Sequence, residues 1–166
     1  MPKITGLIFD AAKIENCTLR IAYQIYEHNL DRDTIYLAGI ANNGVVYAKK
    51  IKTCLEQISN LTVHLVQLKV DKKNPLAKVQ SSHDLSKLSK QSVVVVDDVL
   101  NTGSTLMYAV KYLLDVPLAQ LNTAVLVNRN HKKYPIKADF KGLSLSTSLN
   151  EHIEVHFSGE IGVYLS

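Results

Sequence analysis

Tryptophan is absent from the 166 residues and phenylalanine occurs only three times, so the core is expected to be aliphatic. Cysteine occurs twice, at Cys17 and Cys54, each on a predicted helix among apolar neighbours. Neither has metal-ligand spacing, so buried free thiols are expected rather than a disulfide or a zinc site. That suits a reducing cytoplasm. No apolar run is long enough to cross a bilayer, and the first residues lack a charged segment followed by an apolar one. Neither membrane insertion nor export is expected. Of His28, His64, His83, His131, His152 and His156 only the last two stand at i, i+4, and they bracket an expected strand rather than share a helix face, so no metal-ligand set is expected. There is no internal repeat and no low-complexity tract.

What is present is ordinary for a globular chain: 46% hydrophobic and 20% charged residues, which excludes a disordered or fibrous class. The length fits one compact domain able to bury a core without disulfide or metal staples. A formal charge of +4 favours an anionic partner such as a phosphate, a nucleotide, a nucleic acid or a membrane surface. A mildly basic surface with no such partner remains open on charge alone.

Ile14, Cys17, Ile21 and Ile25 recur at helical spacing behind Asp10, a capping residue, which predicts a helix over 11–28. Strand formers fill 34–40, Asn42-Asn43-Gly44 breaks the run, and a second helix is expected over 45–59. A strand over 62–70 precedes the Lys-, Ser- and Asn-rich stretch 71–90, read as a long mobile loop. Loops of that length are active-site lids or solvated surface segments. The run 92–96, a serine followed by four β-branched valines, suits a central parallel strand buried on both faces, and it ends in Asp97-Asp98. A helix over 104–114, a strand over 122–127 and short strands near 153–157 and 162–165 follow. Strands alternating with helices predict an α/β fold with a doubly wound parallel sheet and helices on both faces.

Ligands of open parallel sheets sit outside the carboxyl ends of the strands, where Asp97 to Thr105 lies. Asn101, Thr102, Gly103, Ser104 and Thr105 form a strand-to-helix turn whose amides would converge on an anion, a phosphate above all. Gly103 is expected to let the main chain approach that phosphate closely. The carboxylates of Asp97 and Asp98 suit the two hydroxyls of a ribose, and would also touch a Mg²⁺ ion or its waters. The turn is not a P-loop, because the Gly-Lys-[Ser/Thr] ending is missing, nor a dinucleotide fingerprint, because it has one glycine.

Residues 93–105 resemble the phosphoribosyl pyrophosphate motif of type I phosphoribosyltransferases. Residues 124–142, Thr147-Ser148, Glu154-Val155, Ile8-Phe9-Asp10 and Arg20-Ile21-Ala22 extend the likeness to the pyrimidine operon attenuator and uracil phosphoribosyltransferase family. The resemblance implies a small hood built from both ends of the chain, and Mg²⁺-dependent transfer of a phosphoribosyl group to a nucleobase, foremost uracil. It assigns the ribose hydroxyls to Asp97 and Asp98, the 5-phosphate to residues 101–105, and the pyrophosphate to Ala41, Asn42, Asn43 and Gly44. The base falls to Asn128, Arg129 and neighbouring backbone. It also implies a homo-oligomer, at least a dimer.

Three departures accompany the resemblance. Asn42-Asn43-Gly44 stands where the family presents Thr-Arg-Gly, and Ser104 stands where an Arg is usual, so fixed positive charge is missing opposite the pyrophosphate and in the phosphate turn. Charge-assisted bonds are roughly twice as strong as neutral ones. Leu19, Tyr23 and Leu143 stand where members that bind messenger RNA carry Thr, His and Lys. Turnover therefore competes with two other readings, a regulator that binds nucleotide and RNA without turnover and a nucleotide sensor acting through a protein partner. Lys132, Lys133, Lys137 and Lys141 are read as solvated lysines of a surface hairpin, and Tyr47 and Tyr108 as packing residues.

Overall fold

A run of four valines can sit only where both faces of a sheet are covered, and the computed structural model, which describes residues 6–166, puts it there. In chain order the elements are β1 (Gly6–Asp10), α1 (Ala11–Glu27), β2 (Thr34–Ile40), α2 (Asn43–Ile58), β3 (Thr62–Lys69) and β4 (Gln80–Ser81). A 3-10 turn (Leu85–Leu88) leads to β5 (Ser92–Leu100), α3 (Ser104–Leu113), β6 (Gln120–Arg129), β7 (Phe140–Leu145), β8 (Ile153–His156) and β9 (Gly162–Leu165). Six strands form one sheet in the order β4-β3-β2-β5-β6-β7, parallel except for β4. The α/β architecture with helices on both faces is the one expected.

Alternation along β5 divides the core. Val94 and Val96 pack with Ile21, Ile25, Tyr47 and Ile51 of α1 and α2, whereas Val93 and Val95 pack with Leu106, Ala109 and Leu113 of α3 and with Leu88. All four valines are fully buried, and burial of each contributes about 1.5–3 kcal/mol. Asp10 caps α1 by accepting from the Lys13 amide at 2.9 Å. Tyr47 is a packing residue, as expected: it stacks on Phe157 and receives the Thr18 hydroxyl at 3.3 Å, and burial pushes its phenol well above the usual range. Tyr108 is half-buried and meets Tyr134 edge-on.

Several expectations change. The two cysteines are free but only half-buried. Helix α2 begins at Asn43 rather than 45, because the Asn42 carbonyl already accepts from the amides of Val45 and Val46. The 71–90 stretch is not one long loop: β4 pairs antiparallel with β3, and Val79 and Leu88 are buried. Strand β5 runs on through the acidic pair to Leu100, since its pairing with β6 continues through Asp97↔Val125 to Leu100↔Asn128. The lysines of 132–141 lie on no hairpin, because the segment crosses between β6 and β7, which are parallel.

The second sheet is the hood. β1 and β8 flank β9 in an antiparallel trio, so residues from both ends of the described chain build it. Among the described residues no helix is long and apolar enough to cross a membrane.

Candidate active site

Strand β5 carries Asp97 to the carboxyl edge of the sheet, where only 6% of the residue is exposed. The main chain clasps the pair: Asp97 Oδ1 accepts from the Asp98 amide and Asp98 Oδ1 from the Val99 amide, both at 2.9 Å. Burial, reinforced by the adjacent Asp98 charge, pushes the Asp97 carboxyl well above the usual carboxylate range, and the Lys72 charge offsets part of this. A buried carboxyl beside a like charge favours a proton or a cation at Asp97.

The start of α2 closes the other side. Asn43 Nδ2 donates to Asp98 Oδ2 at 2.9 Å and to the Val155 carbonyl of β8 at 3.1 Å, tying helix, acid and hood together. The Ala41 amide donates to the Leu68 carbonyl at 2.8 Å, and the peptide bond that follows Ala41 is cis. Gly44 is bare because nothing else fits: a Cβ there would lie 2.6 Å from the Val96 carbonyl and 3.1 Å from Asp97 Cα. Both are sheet backbone, so Gly44→Ala is expected to push α2 off β5 and destabilise the fold by about 1–3 kcal/mol, the range of overpacking. Urea unfolding measures this, and a loss within error would mean that α2 has room to shift.

The 101–105 turn is tight and left-handed at Gly103, with φ of 87°. Its bare side faces the protein, since a Cβ would meet Ile136 Cγ2 at 2.7 Å. The glycine thus serves the fit of the turn beneath residues 134–136. Thr102 anchors it: its carbonyl accepts from the Lys133 and Tyr134 amides at 2.8 and 3.1 Å, and its hydroxyl from the Ser104 amide at 3.3 Å. Helix α3 starts at Ser104, and a helix start leaves its first amides without intrahelical partners. Acidic pair and turn line one cavity of about 380 Å³ with Val125 and Ile153. It is thus lined both by carboxylates and by helix-start amides, groups able to receive sugar hydroxyls and a phosphate.

Arg129 and Asn101 have inward tasks. Arg129 is 4% exposed, and its guanidinium donates to Thr147 Oγ1 at 2.6 Å, Asn101 Oδ1 at 3.2 Å, Ser148 O at 2.8 Å and Glu151 O at 2.5 Å. Those four acceptors leave one of its five N–H groups for anything else. Asn128 is buried beside it; its Nδ2 lies 3.5 Å from Ser144 Oγ and its Oδ1 has no partner. His131 Nε2 sits 2.5 Å from the Thr147 carbonyl, so the ring also braces the 147–151 segment. Lys72, which also lines the cavity, carries no mark in the sequence because it stands in a lysine-rich stretch with no periodic signal.

Among the described residues no group of three or more His, Cys, Asp or Glu is placed to hold a metal. Two carboxylates are nonetheless a fitting set for Mg²⁺, which takes one or two and completes its shell with water and phosphate oxygens.

Relatives agree with this geometry. The chain is 39% identical over 153 residues to the bifunctional protein PyrR of Streptococcus thermophilus, covering 89% of this chain and 87% of that protein. It is 36% identical over 158 residues to the bifunctional protein PyrR of Pediococcus pentosaceus, covering 89% of each. In structure it is similar to a hypoxanthine-guanine phosphoribosyltransferase of Bacillus anthracis, with a TM-score of 0.79 at 14% identity over 98% of this chain and 97% of that one. A hypoxanthine phosphoribosyltransferase of Staphylococcus aureus gives 0.74 at 17% over 87% and 80%. At such identities the structures speak for the fold alone, and it is the type I phosphoribosyltransferase fold. The phosphoribosyl transferase domain matches residues 8–159. Since that span runs from the first hood strand through the acidic pair and the turn to the far side of β8, the chain belongs to the phosphoribosyl transferase domain family.

Proposed function

We propose that this phosphoribosyltransferase moves the phosphoribosyl group of phosphoribosyl pyrophosphate onto a nucleobase, uracil foremost, releasing pyrophosphate and a nucleoside monophosphate. The observation that carries the reading is the single cavity shared by Asp97, Asp98 and the 101–105 turn. In this reading Asp97 and Asp98 accept from the ribose hydroxyls, and the amides and hydroxyls of Thr102, Ser104 and Thr105 hold the 5-phosphate. Asn101 supports the turn through Arg129. The 41–44 loop receives the pyrophosphate through backbone amides.

Uracil is favoured by the resemblance of residues 124–142 to the uracil phosphoribosyltransferase family. Asn128 and backbone near it face the base, with Arg129 shaping that wall rather than touching it. Asp97 and Asp98 would hold a Mg²⁺ ion, which when bound supplies positive charge to the departing pyrophosphate. The chain itself contributes position and exclusion of water around an oxocarbenium-like anomeric carbon, with no covalent nucleophile. We place the reaction in the cytoplasm, in a one-domain chain that forms a homodimer.

A second reading, a nucleotide-responsive regulator without turnover, is favoured by the absence of any cationic side chain in the 41–44 loop. That regulator would also be able to bind RNA, although α1 presents Leu19 and Tyr23 to solvent where members that bind messenger RNA carry Thr and His. One assay separates the two. The protein is incubated with Mg²⁺, phosphoribosyl pyrophosphate and each nucleobase in turn, and uridine monophosphate with pyrophosphate is expected from uracil. No product from any base, with nucleotide binding intact by calorimetry, would favour the regulator.

A further inference from the structure

A pyrophosphate needs positive charge, and the 41–44 loop has none to give. Ala41, Asn42 and Gly44 carry no cation. Both N–H groups of the Asn43 amide are already donated, to Asp98 and to the Val155 carbonyl, so only its oxygen, an acceptor, is left. The cavity has a cation from elsewhere: Lys72, on the β3–β4 connection, is the one basic residue in its lining. The same lysine borders an adjoining open cavity of about 560 Å³, together with Lys69, Lys73 and Lys78. It stands where the acidic end of one space meets the basic end of the other.

The connection is shaped to leave that charge unclaimed. Asp71 turns its carboxylate back on the main chain, accepting from the Lys73 and Asn74 amides at 2.9 and 3.1 Å. Among the described residues no ion pair with Lys72 occurs, and its charge is felt at Asp97. The base of the connection is fixed against the loop it would serve by the Ala41 amide bond to Leu68.

We infer that Lys72 is the pyrophosphate-positioning cation of this chain, supplied from the β3–β4 connection in place of a basic residue in the 41–44 loop. The inference rests on the phosphoribosyltransferase reading above, in which a diphosphate lies beside the acidic pair. It predicts that the diphosphate and monophosphate ends of the ligands depend on different residues.

Calorimetry in Mg²⁺ buffer with inorganic pyrophosphate and with uridine monophosphate tests it, on the wild type and on Lys72→Gln, Lys72→Arg and Lys78→Gln. Loss of one charge-assisted contact is expected to raise the pyrophosphate Kd about tenfold in Lys72→Gln, with the monophosphate Kd within about twofold of wild type. Lys72→Arg should keep most of the pyrophosphate affinity, and Lys78→Gln should leave both constants near wild type. An unchanged pyrophosphate Kd in Lys72→Gln overturns the assignment, as does equal weakening of both ligands or an equal effect of Lys78→Gln. A wild type that binds uridine monophosphate but not pyrophosphate also overturns it while leaving the nucleotide site standing. A wild type that binds neither ligand removes the function on which it rests.

Discussion

Replacing Asp97 and Asp98 together by asparagine is expected to weaken phosphoribosyl pyrophosphate binding about a hundredfold or more, while inorganic phosphate at the 102–105 turn keeps or gains affinity. Each carboxylate would forfeit a charge-assisted bond of about 1.5 kcal/mol at the low end, and every 1.4 kcal/mol is about tenfold. Asparagine preserves shape and can still accept from the amides of Asp98 and Val99, so the fold should survive. Calorimetry with the two ligands reads the result. Unchanged affinity would make the pair structural and leave only the phosphate half of the site.

The single variant Asp97→Asn carries a second expectation, about pH. The Asp97 carboxyl is raised by burial and by Asp98 above its ordinary value of 3.8, so the folded chain holds that proton more tightly than the unfolded one. The resulting stability is complete below the ordinary value and is lost as pH rises through the folded one. The asparagine side chain cannot ionise. With chelator present, the stability of Asp97→Asn relative to wild type should therefore grow with pH from the acid side to neutrality. A difference that shrinks as pH rises would show that the corner prefers the charged carboxylate.

Arg129→Met is expected to cost about 3–5 kcal/mol, the largest stability loss for a single change here, because a buried guanidinium with four acceptors disappears at once. The carbonyls of Ser148 and Glu151 lose their donor, and the 147–151 segment loses its tie to Asn101 at the start of the 101–105 turn. Arg129→Lys should recover less than half, since an ammonium cannot reproduce the planar fork. Denaturant unfolding measures both, and a Met variant within about 1 kcal/mol of wild type would mean that His131 and β8 hold the segment alone.

The central strand, its acidic pair and the turn were legible because each leaves a local mark: a β-branched run, adjacent carboxylates, and a Thr-Gly-Ser-Thr that neither helix nor strand favours. Elements defined only by their partners were not. β7 reads Phe-Lys-Gly-Leu-Ser-Leu, an interrupted pattern that becomes a strand because β6 offers a parallel edge. β4 is two residues long. The inward commitment of Arg129 and Asn43 depends on residues 147–155, which arrive far along the chain, so no spacing near either residue announces it. Lys72 belongs to the site because it follows the end of β3, which stays bonded to the Ala41 amide through Leu68, a long-range contact invisible in a run of lysines.

The pairing of β1 with β9, with Gly6 opposite Leu165, sets an order of events during synthesis. At about 5–20 residues per second, the ribosome needs roughly ten seconds or more to deliver the strand that β1 awaits. Until then the main sheet is able to collapse around β5, but the hood, and with it the Val155 carbonyl that fixes Asn43 on Asp98, does not yet exist. The nascent chain is thus a scaffold with an unset acidic corner until β8 and β9 arrive. In that interval β1 offers a free edge to other chains, a hazard reduced by the charge of Asp10 at its end.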